Sequence, residues 1–96
     1  MKLKNIHPGE ILMEEFLKPM KVSPYKLAKN TKLSQTRVSE IIRGKRSITP
    51  ETALKFSKYF GNSPEFWLGL QADYDIEEAR NRFEKELSAI LCHSCK

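Results

Sequence analysis

The sequence predicts an all-α fold, on three observations. Four of its five prolines follow a residue placed to open a helix: His7-Pro8, Ser23-Pro24, Thr49-Pro50 and Ser63-Pro64. Apolar residues recur at three- and four-residue steps, as in Ile76, Ala79, Phe83, Leu87 and Ile90. No stretch alternates with period two over strand length beside a hairpin turn. Proline at the first helical position loses no hydrogen bond, because that N–H has no intrahelical partner. A Ser or Thr before it accepts from a free N–H of the first turn.

The elements follow in order. The first helix, over 8–18, opens at His7, a poor cap, and should stop at Pro19. The second, over 24–31, opens at Ser23, with Val22 and Leu27 spaced as a hydrophobic staple. The third, over 35–43, opens at Ser34 with Leu33 and Val38 at the same spacing, and ends at Gly44, where a left-handed cap belongs. The fourth runs over 50–60, between Thr49-Pro50 and Gly61, and the fifth over 64–72, after Ser63-Pro64. The sixth, over 76–91, starts after Asp75, which fits a capping box with Glu78 reaching back.

Composition excludes several classes. A chain of 96 residues is one small domain. Two cysteines are too few for a disulfide scaffold. No apolar run approaches the ~20 residues of a membrane span, and Met1-Lys2-Leu3-Lys4-Asn5 lacks the apolar stretch of a signal peptide. A cytoplasmic protein with no membrane partner is expected. Nor is an enzyme expected: the two histidines lie at opposite ends, the four glycines are scattered, and Glu14 and Glu15 point about 100° apart on a helix.

Charge is unevenly placed. The net charge is +5, yet Lys18 to Lys58 holds 11 basic residues against Glu40 and Glu51. From Gln71 to Lys96 there are 4 basic residues against 6 acidic. A basic middle and an acidic end point to an anionic partner for the middle.

The second and third helices are joined by only Lys32-Leu33-Ser34. Two short helices on such a turn are a helix-turn-helix signature. In the third helix Val38, Ile41 and Ile42 share one side; Thr36, Ser39, Glu40 and Arg43 lie broadly opposite, with Gln35 and Arg37 flanking the start. A merely solvated face carries Lys and Glu, whereas Gln, Thr, Arg and Ser are side chains that bond base edges and phosphates. Gln35, Thr36, Arg37, Ser39 and Arg43 are therefore the expected base contacts. Glu40 would be repelled by phosphate unless it accepts from cytosine or orients an arginine. The loop Lys45-Arg46-Ser47, followed by the helix opening at Thr49, is an expected phosphate clamp. The opening of the second helix, with Ser23, Tyr25 and Lys26, is a second one. The expected partner is double-stranded DNA.

Leu27-Ala28, Leu33-Ser34-Gln35-Thr36-Arg37-Val38-Ser39-Glu40-Ile41 and Gly44-Lys45-Arg46-Ser47-Ile48-Thr49-Pro50 resemble the lambda repressor/Cro-like (XRE-type) helix-turn-helix domains. The flanks narrow this. His7-Pro8-Gly9-Glu10-Ile11-Leu12, Gly61-Asn62-Ser63-Pro64-Glu65-Phe66-Trp67-Leu68-Gly69-Leu70-Gln71 and Tyr74-Asp75 resemble the HigA (VapI-like) antitoxin family. The resemblance covers about residues 5–80. It implies a five-helix DNA-binding domain over 1–72, with a C-terminal helix and short tail over 73–96. It further implies a homodimer, repression of the protein's own operon and neutralisation of a HigB-type toxin, a small ribosome-dependent mRNA endonuclease. The alternatives are a stand-alone regulator of the same fold without a toxin, and a helical adaptor for an acidic protein.

Two positions depart from the family pattern. Many members carry Gly in the turn where this chain has Lys32, and a left-handed Lys costs roughly 1 kcal/mol, so a differently shaped turn is expected. Pro24 stands where many members place a polar side chain that touches phosphate or braces the recognition helix. The dimer seam is expected at Phe66, Leu68, Leu70, Phe83 and Leu87, with Trp67 more suited to the core. Cys92-His93-Ser94-Cys95 supplies too few ligands for zinc from one chain; a reduced tail is expected, with no metal and no cofactor.

Overall fold

The computed structural model describes residues 4–93. Among them lie six helices and no strand. Helix α1 spans 8–20 as three consecutive stretches, Pro8–Ile11, a π-helical Leu12–Leu17, and Lys18–Met20. It is followed by α2 (Pro24–Thr31), α3 (Gln35–Ile42), α4 (Pro50–Phe60), α5 (Pro64–Arg82) and α6 (Glu84–Ser88). None of these is long and apolar enough to cross a membrane.

The helix starts fall where the caps place them. Ser23 Oγ accepts from Lys26 N–H, Ser34 Oγ from Arg37 N–H and Ser63 Oγ from Phe66 N–H. His7, expected to cap poorly, does cap: its Nδ1 accepts from Gly9 N–H at 2.9 Å. That bond needs a neutral ring. Burial pushes the imidazole below its usual pKa, against an opposing pull from the Asp75 carboxylate.

Pro19 does not stop α1 before its last turn. Lys18 N–H bonds Met13 O, five residues back, and this wider register leaves room for the proline ring beside the preceding turn. The helix ends two residues later at Lys21, which is left-handed (φ 57°). Lys32 adopts the same conformation (φ 60°). Leu33 N–H bonds Ala28 O at 3.0 Å, and Lys32 N–H bonds Lys29 O. This is the paired closure that usually uses glycine, so the turn keeps its left-handed shape with a lysine in it. Burial of Leu33 just beyond offsets the strain.

The core comprises Leu12 and Leu17 of α1, Leu27 and Ala28 of α2, Leu33, Val38 and Ile41 around α3, Ile48 of the loop before α4, Ala53 and Phe56 of α4, and Trp67 of α5. Trp67 is fully buried among Phe16, Phe56, Phe60 and Phe66, and its Nε1–H donates to Asn62 Oδ1 at 2.9 Å. A buried indole N–H requires such a partner.

The C-terminal third differs from its expected layout. No helix starts at residue 76. Helix α5 runs unbroken across 72–73, and Asp75 caps nothing: it accepts from Gln71 Nε2 at 2.9 Å. The break comes at Phe83, and the last helix is the short Glu84–Ser88. The N-terminal segment braces this extension. Asn5 Nδ2 donates to Tyr74 O and Glu78 Oε2, and His7 packs edge-on against Tyr74. Cys92 is disulfide-bonded rather than the reduced thiol expected; Cys95 lies outside the described residues.

One close approach sets α1 against α3. Gly9 is buried on the last turn of α3, where a methyl group would overlap the Ile41 carbonyl oxygen. Backbone atoms cannot give way as a side-chain tip can. Gly9→Ala should therefore cost about 1–3 kcal/mol, read as a lower urea midpoint. An unchanged midpoint would show that α1 and α3 are not in register contact.

Candidate nucleic-acid interface

Helix α3 has one fully buried face and one open face. Val38 and Ile41 have no exposed surface, while Gln35, Thr36 and Arg43 are exposed. Arg37 and Ser39 are half-buried. The five expected base contacts thus stand on one short helix, three of them freely open to solvent. Arg43 terminates the helix and points away from the core.

The loop after α3 is shaped by backbone bonds. Gly44 (φ 76°) donates to Ile41 O at 3.0 Å, and Lys45 N–H bonds Glu40 O at 2.8 Å. This closure turns the chain sharply and leaves Lys45, Arg46 and Ser47 exposed. Ile48 then plunges into the core. Its N–H would be an unpaired buried donor, but Gln71 Oε1 accepts from it at 2.8 Å. Gln71 is itself 5% exposed and is held from behind by Asp75. Sequence reading missed this amide. It lies in a helix far along the chain, and only tertiary packing brings it to the loop.

Thr49 Oγ1 caps α4 by accepting from Thr52 N–H. Ser23 caps α2, and Tyr25 (56% exposed) and Lys26 stand open beside it. Ser23 thus spends an acceptor lone pair on its cap and keeps a hydroxyl proton to donate, whereas Thr49 Oγ1 also shares a hydrogen bond with Thr52 Oγ1 at 3.3 Å.

Two carboxylates sit among the cations. Glu51 Oε1 pairs with Arg37 Nη1 at 3.2 Å, and its Oε2 pairs with Lys55 Nζ at 3.0 Å. The hydrogen bonds from Lys55 and Arg37 hold the Glu51 carboxyl below the usual carboxylate range. Glu40 Oε1 receives both Nε and Nη2 of Arg46, at 2.8 and 2.7 Å. Glu40 therefore orients an arginine, one of the roles open to it from sequence. No ion pair among the described residues involves Arg43 or Lys45. These bonds also tie the start of α3, the basic loop and the start of α4 into one surface.

The helix-turn-helix family model matches residues 13–67. Virulence-associated protein I of Dichelobacter nodosus is 50% identical over 74 residues, covering 77% of this chain and 68% of the relative. Antitoxin HigA-1 of Vibrio cholerae is 36% identical over 85 residues, covering 88% and 80%. The solved structure of Pseudomonas aeruginosa antitoxin HigA with the higBA promoter aligns with a TM-score of 0.89 at 35% identity, over 96% of this chain and 100% of that one. The chain belongs to the HigA (VapI-like) family of helix-turn-helix proteins.

This HigA-family chain keeps its dimer-candidate residues in two settings. Leu68 and Leu70 are half-buried against the core, and Phe66 is 39% exposed beside Phe16 and Trp67. Phe83 and Leu87 are 41% and 49% exposed. With Ile76, Ala79 and Ile90 they line a shallow apolar groove of about 390 Å³ along α5 and α6.

Arg43 is the sharpest test of the open face. Arg43→Ala should leave folding intact and weaken binding to a preferred duplex by about 1–3 kcal/mol, concentrated at one base position. Lys45→Ala should instead weaken binding to all sequences and flatten the salt slope by about one. Gel shifts at several salt concentrations measure both. Equal loss for Arg43→Ala on random DNA would demote it to a phosphate contact.

Proposed function

We propose that this chain is the antitoxin of a type II toxin–antitoxin pair, which binds operator DNA as a dimer, represses its own operon and neutralises a HigB-type toxin. It acts by binding, not by catalysis. The observation that carries the DNA reading is the open polar face of α3 over a fully buried apolar one. Gln35, Thr36, Arg37, Ser39 and Arg43 are the base contacts in this reading. Ser23, Tyr25, Lys26, Lys45, Arg46, Ser47 and Thr49 meet phosphate. The family membership supports the same reading, since a relative is solved with its promoter. The antitoxin role is supported by the relatives that carry that name. A repressor of this kind works where the DNA is, in the cytoplasm.

The dimer follows from recognition arithmetic. One helix reads a few base pairs, too few to select a site in a genome. Two-fold symmetry with half-sites about 34–36 Å apart doubles the read-out. The basic face cannot pair with itself. The exposed stripe through Phe83 and Leu87 offers apolar area at the other end of the chain, and Phe66, Leu68 and Leu70 extend the seam. Each large side chain buried there contributes roughly 1.5–3 kcal/mol.

The test uses the DNA preceding the protein's own gene, and the antitoxin reading requires a short toxin reading frame immediately upstream. The full chain should retard that duplex against excess random DNA, and co-purify with the product of the frame. The variant Phe83→Asp with Leu87→Asp should stay folded, sediment as a monomer and bind only weakly. A dimer that survives the double substitution would move the seam to Phe66, Leu68 and Leu70. Failure of the wild-type chain to prefer its own upstream DNA would overturn the operator reading.

A further inference from the structure

Two of the arginines on the DNA face are held by carboxylates of the same face. Arg37 shares Glu51 with Lys55, one cation on each carboxylate oxygen. Arg46 closes two N–H bonds on a single oxygen of Glu40. A surface built only to attract DNA would carry no acid at these places, because a carboxylate beside phosphate is repelled. We infer that Glu51 and Glu40 are specificity-determining residues, each withholding an arginine from the phosphates of unselected DNA. The inference rests on the operator reading above.

On random sequence the pairs stay closed. Closed, the Arg46–Glu40 pair carries no net charge and the Arg37–Glu51–Lys55 cluster carries one positive charge in place of two, so each displaces one counterion fewer from the duplex. On a chosen site a guanine edge offers Arg37 a two-bond acceptor, against the single 3.2 Å bond that Glu51 gives it. Lys55 makes this exchange easy. It remains on the other Glu51 oxygen at 3.0 Å and also reaches the Lys32 carbonyl at 3.4 Å. When Arg37 turns to a base, Glu51 is thus still paired. Glu40 acts on a phosphate contact instead: it holds Arg46 by two N–H bonds on one oxygen, from the outward side of α3, with no second cation in its ion pair among the described residues. The carboxylates act through the arginines, as positioning groups, and touch no base in this account.

The experiment compares wild type, Glu51→Gln and Glu40→Gln on two duplexes. One is the sequence that the wild-type protein enriches from a random pool; the other is its scrambled version. Both carboxylates lie on the surface, and Gln keeps an acceptor, so helicity and thermal unfolding serve as folding controls. On the scrambled duplex each substitution should steepen the salt slope by about 0.9, or about eightfold in affinity between 1 M and 0.1 M salt. Affinity for the enriched duplex should rise less, so the ratio between the two falls. For Glu51→Gln the preference should relax at one base position. In an Arg37→Ala background Glu51→Gln should no longer change the ratio. Equal gains on both duplexes would reduce the effect to net charge and overturn the inference, as would no change on either. If the wild type enriches no sequence, it is the operator reading itself that fails.

Discussion

The direct contact of Gly9 with the carbonyl end of α3 is the constraint on which the rest of the proposed DNA face depends. It places the start of α1 against Ile41, while Val38 and Ile41 bury the whole inner side of α3. A helix fixed on that side has only one face left to present. What it presents is Gln35, Thr36 and Arg43. Gly44 turns the chain beside the His7 ring, and Gln71 pins Ile48 from the far end of the domain. The basic loop is therefore held at both ends, by a backbone closure and by a buried amide, and its cations need little further ordering to meet a ligand.

The same fixation explains the division of labour along the chain. The proposed DNA face is basic but partly self-neutralised, through Glu40 and Glu51. The far end is apolar and less basic, and α5 connects the two as one unbroken helix. Gln71 and Asp75 lie on that helix between the basic loop and the open stripe from Ile76 onwards. The N-terminal segment clasps it through Asn5 and His7. The geometry of one end is thereby tied to the geometry of the other without a hinge between them.

Much of this was legible in the sequence, for reasons of locality. Ser23, Ser34, Thr49 and Ser63 mark helix starts because a cap is settled by three or four neighbouring residues. The open face of α3 could be read because helical geometry alone sorts Val38 and Ile41 from Thr36 and Arg43. What failed had two causes: residues whose local pattern allows a second outcome, and partners far along the chain. Asp75 looked like a cap, but its carboxylate is claimed by Gln71 one turn back, and nothing between them breaks the helix. Pro19 looked like a stop, but a widened turn accommodates it. Lys32 looked unsuited to a left-handed turn, yet burial of Leu33 behind it outweighs the strain. Gln71 and the Arg37–Glu51 pair join residues 23 and 14 positions apart, and no periodicity announces either.

In the proposed function, DNA meets the outer face of α3 and the loop behind it. Amide NMR shifts recorded while the full chain is titrated with its enriched duplex test this most directly. Shifts are expected at Gln35, Thr36, Gly44 and Lys45 that saturate together, with Glu14 and Glu15 on α1 unmoved. Shifts confined to α1 or to the apolar stripe of α5 and α6, with α3 silent, would contradict it.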